Sequence, residues 1–262
     1  VIAVTSGKGG VGKSSMTANL AAAMAKSGLK VGVMDADIYG FSIPRMLGVT
    51  HEPQVIDGMI LPPLGAQGVK VMSIGMFVPE GQPVIWRGPM LHRALQQFLA
   101  DVFWGDLDVL LIDMPPGTGD VAISIAQLLP NSQILVVTTP QVAAAEVAER
   151  AGSIASQTQQ RVIGVVENMS YLPQPDGSRL ELFGSGGGAS VSARLSAQLG
   201  YETPLLAQVP LDIALREGGD VGRPVTLDDG PASQALSELA EKLSIAERGL
   251  SGRPLGVFPV QK

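Results

Sequence analysis

The chain has 262 residues, 45% of them hydrophobic and 32 of them glycine, with 24 acidic against 18 basic side chains and a formal net charge of −6. That content is too apolar for a disordered chain, and the length suits one α/β domain with a sizeable core. A pI near 4.9 argues against a generally basic nucleic-acid surface. The absence of cysteine removes every disulfide, thiolate nucleophile and thiolate-held metal from the available chemistry.

The chain opens on the apolar run "VIAVT", read as a strand, and enters the glycine loop "SGKGGVGKSS". A helix is predicted over 13–26, with Met16, Leu20 and Met24 on one face and Gly28 as its stop. Further strand-like runs follow at 30–35, 69–75, 107–112, 132–138, 161–167 and 204–209, and most are apolar throughout rather than alternating. Continuous apolar strands indicate a sheet covered on both faces. Helical patterns between them fall at 91–103, 121–128, 142–157, 189–199 and 232–247. In the first of these, Leu91, Leu95, Phe98 and Val102 are spaced as a core-facing stripe. The fold class is therefore α/β: a doubly wound, mostly parallel sheet flanked by helices. Residues 1–248 are expected to form one domain, and 249–262, with Pro254 and Pro259, a loose tail. The longest apolar runs have strand length and fall short of a membrane span. Val1 already reads as part of a strand, so no signal peptide is expected and the location is expected to be cytoplasmic, a missing upstream segment being the alternative left open.

Strand, glycine loop and helix is the order a phosphate-binding loop requires. Gly7, Gly12, Lys13 and Ser14 satisfy G-x-x-x-x-G-K-[ST], whose backbone N–H groups and helix N-terminus surround phosphate oxygens. Gly7, Gly9, Gly10, Val11, Gly12, Lys13, Ser14 and Ser15 are thus the candidate nucleotide cradle. Lys13 would neutralise β- and γ-phosphate charge and Ser14 would ligate Mg²⁺. A glycine-rich turn joining two elements is the plainer alternative. The second strand ends in "DADIYG", with Asp35 and Asp37 at the carboxyl edge of the sheet, where ligands bind in open α/β folds. Asp35 is a candidate to support Mg²⁺ through water, and a helix cap is the alternative for the pair. "DVLLIDMPPGTGD" runs four apolar residues into Asp113, a candidate holder of a Mg²⁺-bound water or else a strand-end turn residue. Asn168, just beyond the strand in "VIGVVENMS", offers a side-chain amide to a base, and no N-K-x-D guanine motif is present.

"KGGVGKS" carries an extra lysine, Lys8, and resembles the deviant Walker A motif of the MinD, ParA and nitrogenase-iron-protein group of dimeric ATPases. That resemblance implies a P-loop fold of MinD-like type, ATP as the nucleotide, and a Lys8 that reaches phosphate on a partner subunit's nucleotide. It also implies that Asp37 orients the attacking water, that Gly117 in "MPPGTGD" reports the γ-phosphate as switch II, and that Pro210 and Asp212 line the adenine pocket. Lys8, Lys13 and Asp37 are then the catalytic set. "WRGPM" at 86–90, "DMPPGTGD" at 113–120, "ENMSY" at 167–171 and "FGSGGG" at 183–188 together resemble the Mrp/ApbC family over nearly all of 1–220. The resemblance implies an ATP-dependent homodimer in iron-sulfur cluster assembly or delivery, with a client apoprotein, a bridging cluster on a C-x-x-C pair, and in many members a small N-terminal domain upstream.

The chain departs from that pattern where the metal is held. Gln174 and Gly177 stand where the two cysteines are expected, so a cluster on the usual ligands is not expected. Asp176, Glu181 and His51 have no convincing cluster spacing, and His51 and His92 read as ordinary histidines. "PQPDG" reads as a turn, with a short hairpin continuing through "RLELF". The alternative class is a MinD- or ParA-like positioning or partition ATPase acting on membrane or DNA. Against it, the last helical stretch sets Glu238, Glu241 and Glu247 against Lys242 and Arg248, and no Lys/Arg run is present. Neither nucleic acid nor membrane is the expected partner.

Overall fold

The computed structural model describes residues 1–37, 40–77, 88–116, 119–141 and 144–247. In chain order its elements are β1 (Ile2–Ser6), α1 (Lys13–Lys26), β2 (Val31–Asp35), α2 (Ile43–Met46), β3 (Gln54–Ile56), β4 (Met59–Leu61), β5 (Lys70–Ser73), α3 (Gly88–Ala100), β6 (Val109–Asp113) and α4 (Asp120–Leu128). They continue as β7 (Gln133–Thr138), α5 (Ala144–Thr158), β8 (Val162–Glu167), β9 (Leu172–Pro173), β10 (Arg179–Leu180), α6 (Gly187–Leu199), β11 (Leu205–Gln208), α7 (Ile213–Val221) and α8 (Pro231–Glu247).

All seven apolar runs are strands of one sheet, in the order β11-β8-β7-β1-β6-β2-β5, and every neighbouring pair is parallel. From β1 the chain winds outward to β5, returns at β6, and then leaves the other way through β7 and β8 to β11. The winding therefore reverses beside β1, and the C-terminal end of that strand opens into the glycine loop, as the switch-point rule for open α/β sheets requires. The apolar continuity of the strands has a direct cause. Ile2 and Val4 face a layer containing Met16, Leu20 and Met24 of α1 and Leu236 and Leu239 of α8. Ala3, on the opposite pleat, faces Leu95, Phe98, Ile125, Val147 and Leu195 from the helices of the other layer. Burial of both faces is the main favourable term holding the helices to the sheet.

Helix α1 occupies the predicted residues and stops before Gly28, whose φ of 94 is accessible to glycine at little cost. α3 ends at Ala100, earlier than the apolar stripe implied. Val102, expected on the helix, instead bridges Ile60 in extended backbone, and the Trp104 indole donates to the Phe98 carbonyl 2.9 Å away, over the helix end. A stripe persists past a helix end when the following turn packs on the same core. Two short helices, α2 and α7, and the β3–β4 hairpin were not foreseen. α7 contains Gly218 and Gly219, which interrupt its apolar period, and it starts at Asp212, whose Oδ1 accepts from the Ala214 amide at 2.9 Å. The expected turn at "PQPDG" forms: β9 and β10 pair antiparallel around it. The loose tail at 249–262, residues 86–87 of "WRGPM" and Gly117 lie outside the described residues. Among the described residues no helix is long and apolar enough to cross a membrane.

Candidate nucleotide-binding site

The glycine loop leaves the buried end of β1 and turns into α1 through Gly10 and Gly12, both left-handed at φ 79 and 80. Gly12 is the N-cap of α1 and offers no side-chain cap, so the first helical amides point into open space and form an anion site. A cavity of about 240 Å³ lies over residues 9–15 and is walled by Asp37, Ser42, Met46 and Pro116.

A buried polar cluster sits at its base. Lys13 Nζ lies 2.7 Å from Asp113 Oδ2 and 3.8 Å from Asp37 Oδ2. The Ser14 hydroxyl donates to Asp113 Oδ2 at 2.6 Å, and the Thr17 hydroxyl to Asp113 Oδ1 at 2.9 Å. Asp113 is 0% exposed; burial pushes its carboxyl above the usual range, while Lys13, Ser14 and Thr17 pull it back toward the charged form. Ser14 and Asp113 thus bring hard oxygen donors together beside the cavity, the donor chemistry Mg²⁺ selects. Thr17, one turn beyond Ser14, was missed in the sequence. Its only signal was a hydroxyl at i+3 on the face already carrying Ser14.

Asp35 has other partners than a cavity. Its Oδ1 accepts from the Asp37 amide at 3.1 Å, and its Oδ2 from the Ser73 hydroxyl at 3.1 Å and the Ile43 amide at 3.4 Å. It is 0% exposed, and burial first, then the charge of Asp113, raises its pKa to about 8. Asp35 therefore ties the backbone that carries Asp37 to β5 and to the first residue of α2.

The two lysines of the loop face different surroundings. Lys13 is buried among carboxylates. Lys8 is half-buried outside the cavity lining, with its Nζ 3.0 Å from Gln141 Oε1 beyond the end of β7.

A second cavity, of about 330 Å³, shares Gly12, Ser15 and Met46 with the first and continues between Asn168, Pro210 and Asp212. Asn168 Nδ2 donates to the Val11 carbonyl at 2.9 Å, and its Oδ1 is buried with no hydrogen-bond partner. Pro210 follows β11 as expected, and Asp212 lines the cavity while its carboxylate caps α7. Met169, beside Asn168, has φ 56, a strained value for a side-chain-bearing residue. The far wall is α7, tied to α2 by Arg45 and Asp220 at 2.6 Å. The two helix ends also touch through Gly48 and Gly222: a Cβ on Gly222 would stand 2.6 Å from the Gly48 Cα.

The segment in which the resembled pattern has its two cysteines is the β9–β10 hairpin. Gln174 and Gly177 face each other across its turn, the Gly177 amide donating to the Gln174 carbonyl at 3.0 Å. Asp176, Glu181 and His51 are exposed and His92 is half-buried. No group of three or more His, Cys, Asp or Glu among the described residues is placed to hold a metal. The residues present do not fit an iron-sulfur cluster.

The fold and these two joined cavities define a P-loop nucleotide-binding protein. The family model for ParA, described as NUBPL iron-transfer P-loop NTPase, matches residues 1–244, and the chain belongs to that family. It is similar to the iron-sulfur cluster carrier protein of Mycobacterium bovis, with 62% identity over 264 aligned positions, 100% of this chain and 69% of that protein. The carrier protein of Bacillus subtilis is 44% identical over 92% of this chain and 67% of its own. Among solved structures, the nucleotide-binding protein of Archaeoglobus fulgidus in complex with ADP matches at 39% identity and a TM-score of 0.73, covering 87% of this chain and 88% of that one. MinD of Pyrococcus furiosus, at 24% identity and a TM-score of 0.67 over 94% and 98% of the two chains, shares the fold.

Proposed function

We propose that the chain is a slow ATPase switch that works as a nucleotide-bridged homodimer in iron-sulfur cluster assembly or delivery, without carrying a cluster on thiolates of its own. The observation that supports this most is the division of the two loop lysines. Lys13 meets Asp113, Asp37 and Ser14 inside the phosphate cavity, whereas Lys8 lies outside it toward the loop after β7. On leaving Gln141, a lysine outside its own phosphate cavity serves a neighbouring subunit, as an arginine finger does.

In this reading residues 9–15 hold the α- and β-phosphates through backbone amides, and Lys13 exchanges its carboxylate partners for phosphoryl oxygens. Asp37 orients water for in-line attack, and Gly117 senses the γ-phosphate. Ser14 and Asp113 would hold Mg²⁺, which supplies charge neutralisation at the phosphates. Asn168, Pro210 and Asp212 receive adenine. Turnover without a partner is on the order of 10⁻³ to 10⁻² per second, as for unstimulated switch NTPases. Residues 1–248 act as one ATPase domain in the cytoplasm. The partner is a client apoprotein or an assembly factor, with neither DNA nor membrane required.

Lys13→Ala is expected to abolish hydrolysis in folded protein, and Lys8→Ala to abolish ATP-dependent dimerisation with ADP binding intact. Phosphate release reads the first, and sedimentation velocity with and without a non-hydrolysable ATP analogue, beside ADP calorimetry, reads the second. A monomer under all nucleotides, with unaltered turnover in Lys8→Ala, would sink the reading. Co-sedimentation with DNA or liposomes in the presence of ATP would instead favour a positioning role.

A further inference from the structure

The first and second halves of the glycine loop are anchored by different parts of the molecule. The second half, from Gly10 to Ser14, is held from the β6 and β8 ends: Asp113 binds Lys13 and Ser14, and Asn168 binds the Val11 carbonyl. The first half rests on α5. A Cβ on Gly7 would stand 2.5 Å from the Val147 Cα, so the loop lies directly against that helix. One turn further along, Arg150 Nη1 donates to the carbonyl of Gly7, itself buried, at 2.6 Å. Just before α5, Gln141 receives the Lys8 ammonium.

We infer that Arg150 is a positioning residue for Lys8, acting through the Gly7 carbonyl. Its guanidinium fixes the peptide plane immediately preceding Lys8 and so sets the direction in which the Lys8 side chain leaves the loop. A charge-assisted bond to a carbonyl is stronger and more directional than a neutral one. Among the described residues Arg150 forms no hydrogen bond or ion pair with Lys13, Ser14 or Asp113, so its loss should spare binding within the protomer and damage what Lys8 does. This rests on the reading of Lys8 as a lysine that serves the partner subunit.

The test compares Arg150→Met, which keeps an apolar stem and removes the donor, with Arg150→Lys, which restores one donor, and with Lys8→Ala. ADP affinity by calorimetry, ATP-dependent dimerisation by sedimentation, and kcat are measured for each. Arg150→Met is expected to lose about tenfold in kcat and in dimer affinity, the loss of roughly one charge-assisted hydrogen bond, with ADP affinity changed less than about twofold. Arg150→Lys should recover most of the loss. Equal losses of ADP affinity and kcat would overturn the proposal in favour of general loop damage, as would Arg150→Met with unchanged dimerisation beside a defective Lys8→Ala. If Lys8→Ala itself dimerises and turns over normally, the functional reading fails instead. Melting temperatures identify any variant that does not fold, and Arg150→Lys then carries the comparison against wild type.

Discussion

Asn168 and Val11 are joined by a single hydrogen bond, Nδ2 to carbonyl at 2.9 Å, which fixes the asparagine amide and leaves Oδ1 as a buried acceptor without a partner. An unsatisfied buried acceptor costs about 1–3 kcal/mol. A ligand that supplies a donor at that spot recovers this energy. The exocyclic amine of adenine is such a donor, whereas the guanine carbonyl at the corresponding ring position is not.

Asn168→Ala is therefore expected to weaken ADP binding by about 10- to 100-fold, with a smaller effect on GDP. Asn168→Asp should be worse, since it sets a carboxylate oxygen against the Val11 carbonyl. Calorimetry with both diphosphates is the measurement, and an unchanged ADP to GDP ratio in Asn168→Ala would remove Oδ1 as the base selector.

The Asp35 carboxyl, raised from 3.8 to about 8 by burial and the nearby Asp113, makes the apo protein sensitive to pH. The folded state holds this proton between those values and the unfolded state does not. The contribution to stability is thus complete below about pH 4 and is lost as pH rises through 8. Asp113, shifted in the same direction, adds to the slope. Urea midpoints in nucleotide- and magnesium-free buffer should fall from pH 5 to pH 8, and the fall should be shallower in Asp35→Asn, which keeps an uncharged acceptor for the Asp37 amide. A wild-type midpoint that rises over that range contradicts this assignment.

With no cysteine in the chain and no metal-competent cluster among the described residues, anaerobic reconstitution with iron and sulfide is expected to leave well under one cluster per two chains. Absorbance near 400 nm together with iron counting decides the matter, and a stoichiometric, chromatographically stable cluster would demand ligands other than those the hairpin offers.

Much of this architecture was legible because its strands are buried on both faces, which writes them into the sequence as unbroken apolar runs. The nucleotide cradle was legible because Gly7, Gly12, Lys13 and Ser14 have fixed spacing and Asp113 ends an apolar strand. The surroundings of Asp35 were not legible. Its register opposite both Ser73 and Asp113 and its bond to the Asp37 amide are tertiary facts, and a carboxylate at a strand end looks the same whether it faces a metal or its own turn. Arg150 and Gln141 left no trace in the sequence. They reach Gly7 and Lys8 across 143 and 133 positions, and one of them acts on a backbone carbonyl, which has no residue code.

The meeting of Gly48 with Gly222 has a mechanical consequence. The residues after α2 and α7 meet backbone to backbone, and Arg45 and Asp220 pair at the outer edge, so the walls that these two helices give to the two cavities are in contact. Met46, which borders both cavities, rides on the same hinge plate. A ligand that displaces Met46 from one compartment thereby moves a wall of the other, so the two cavities respond together.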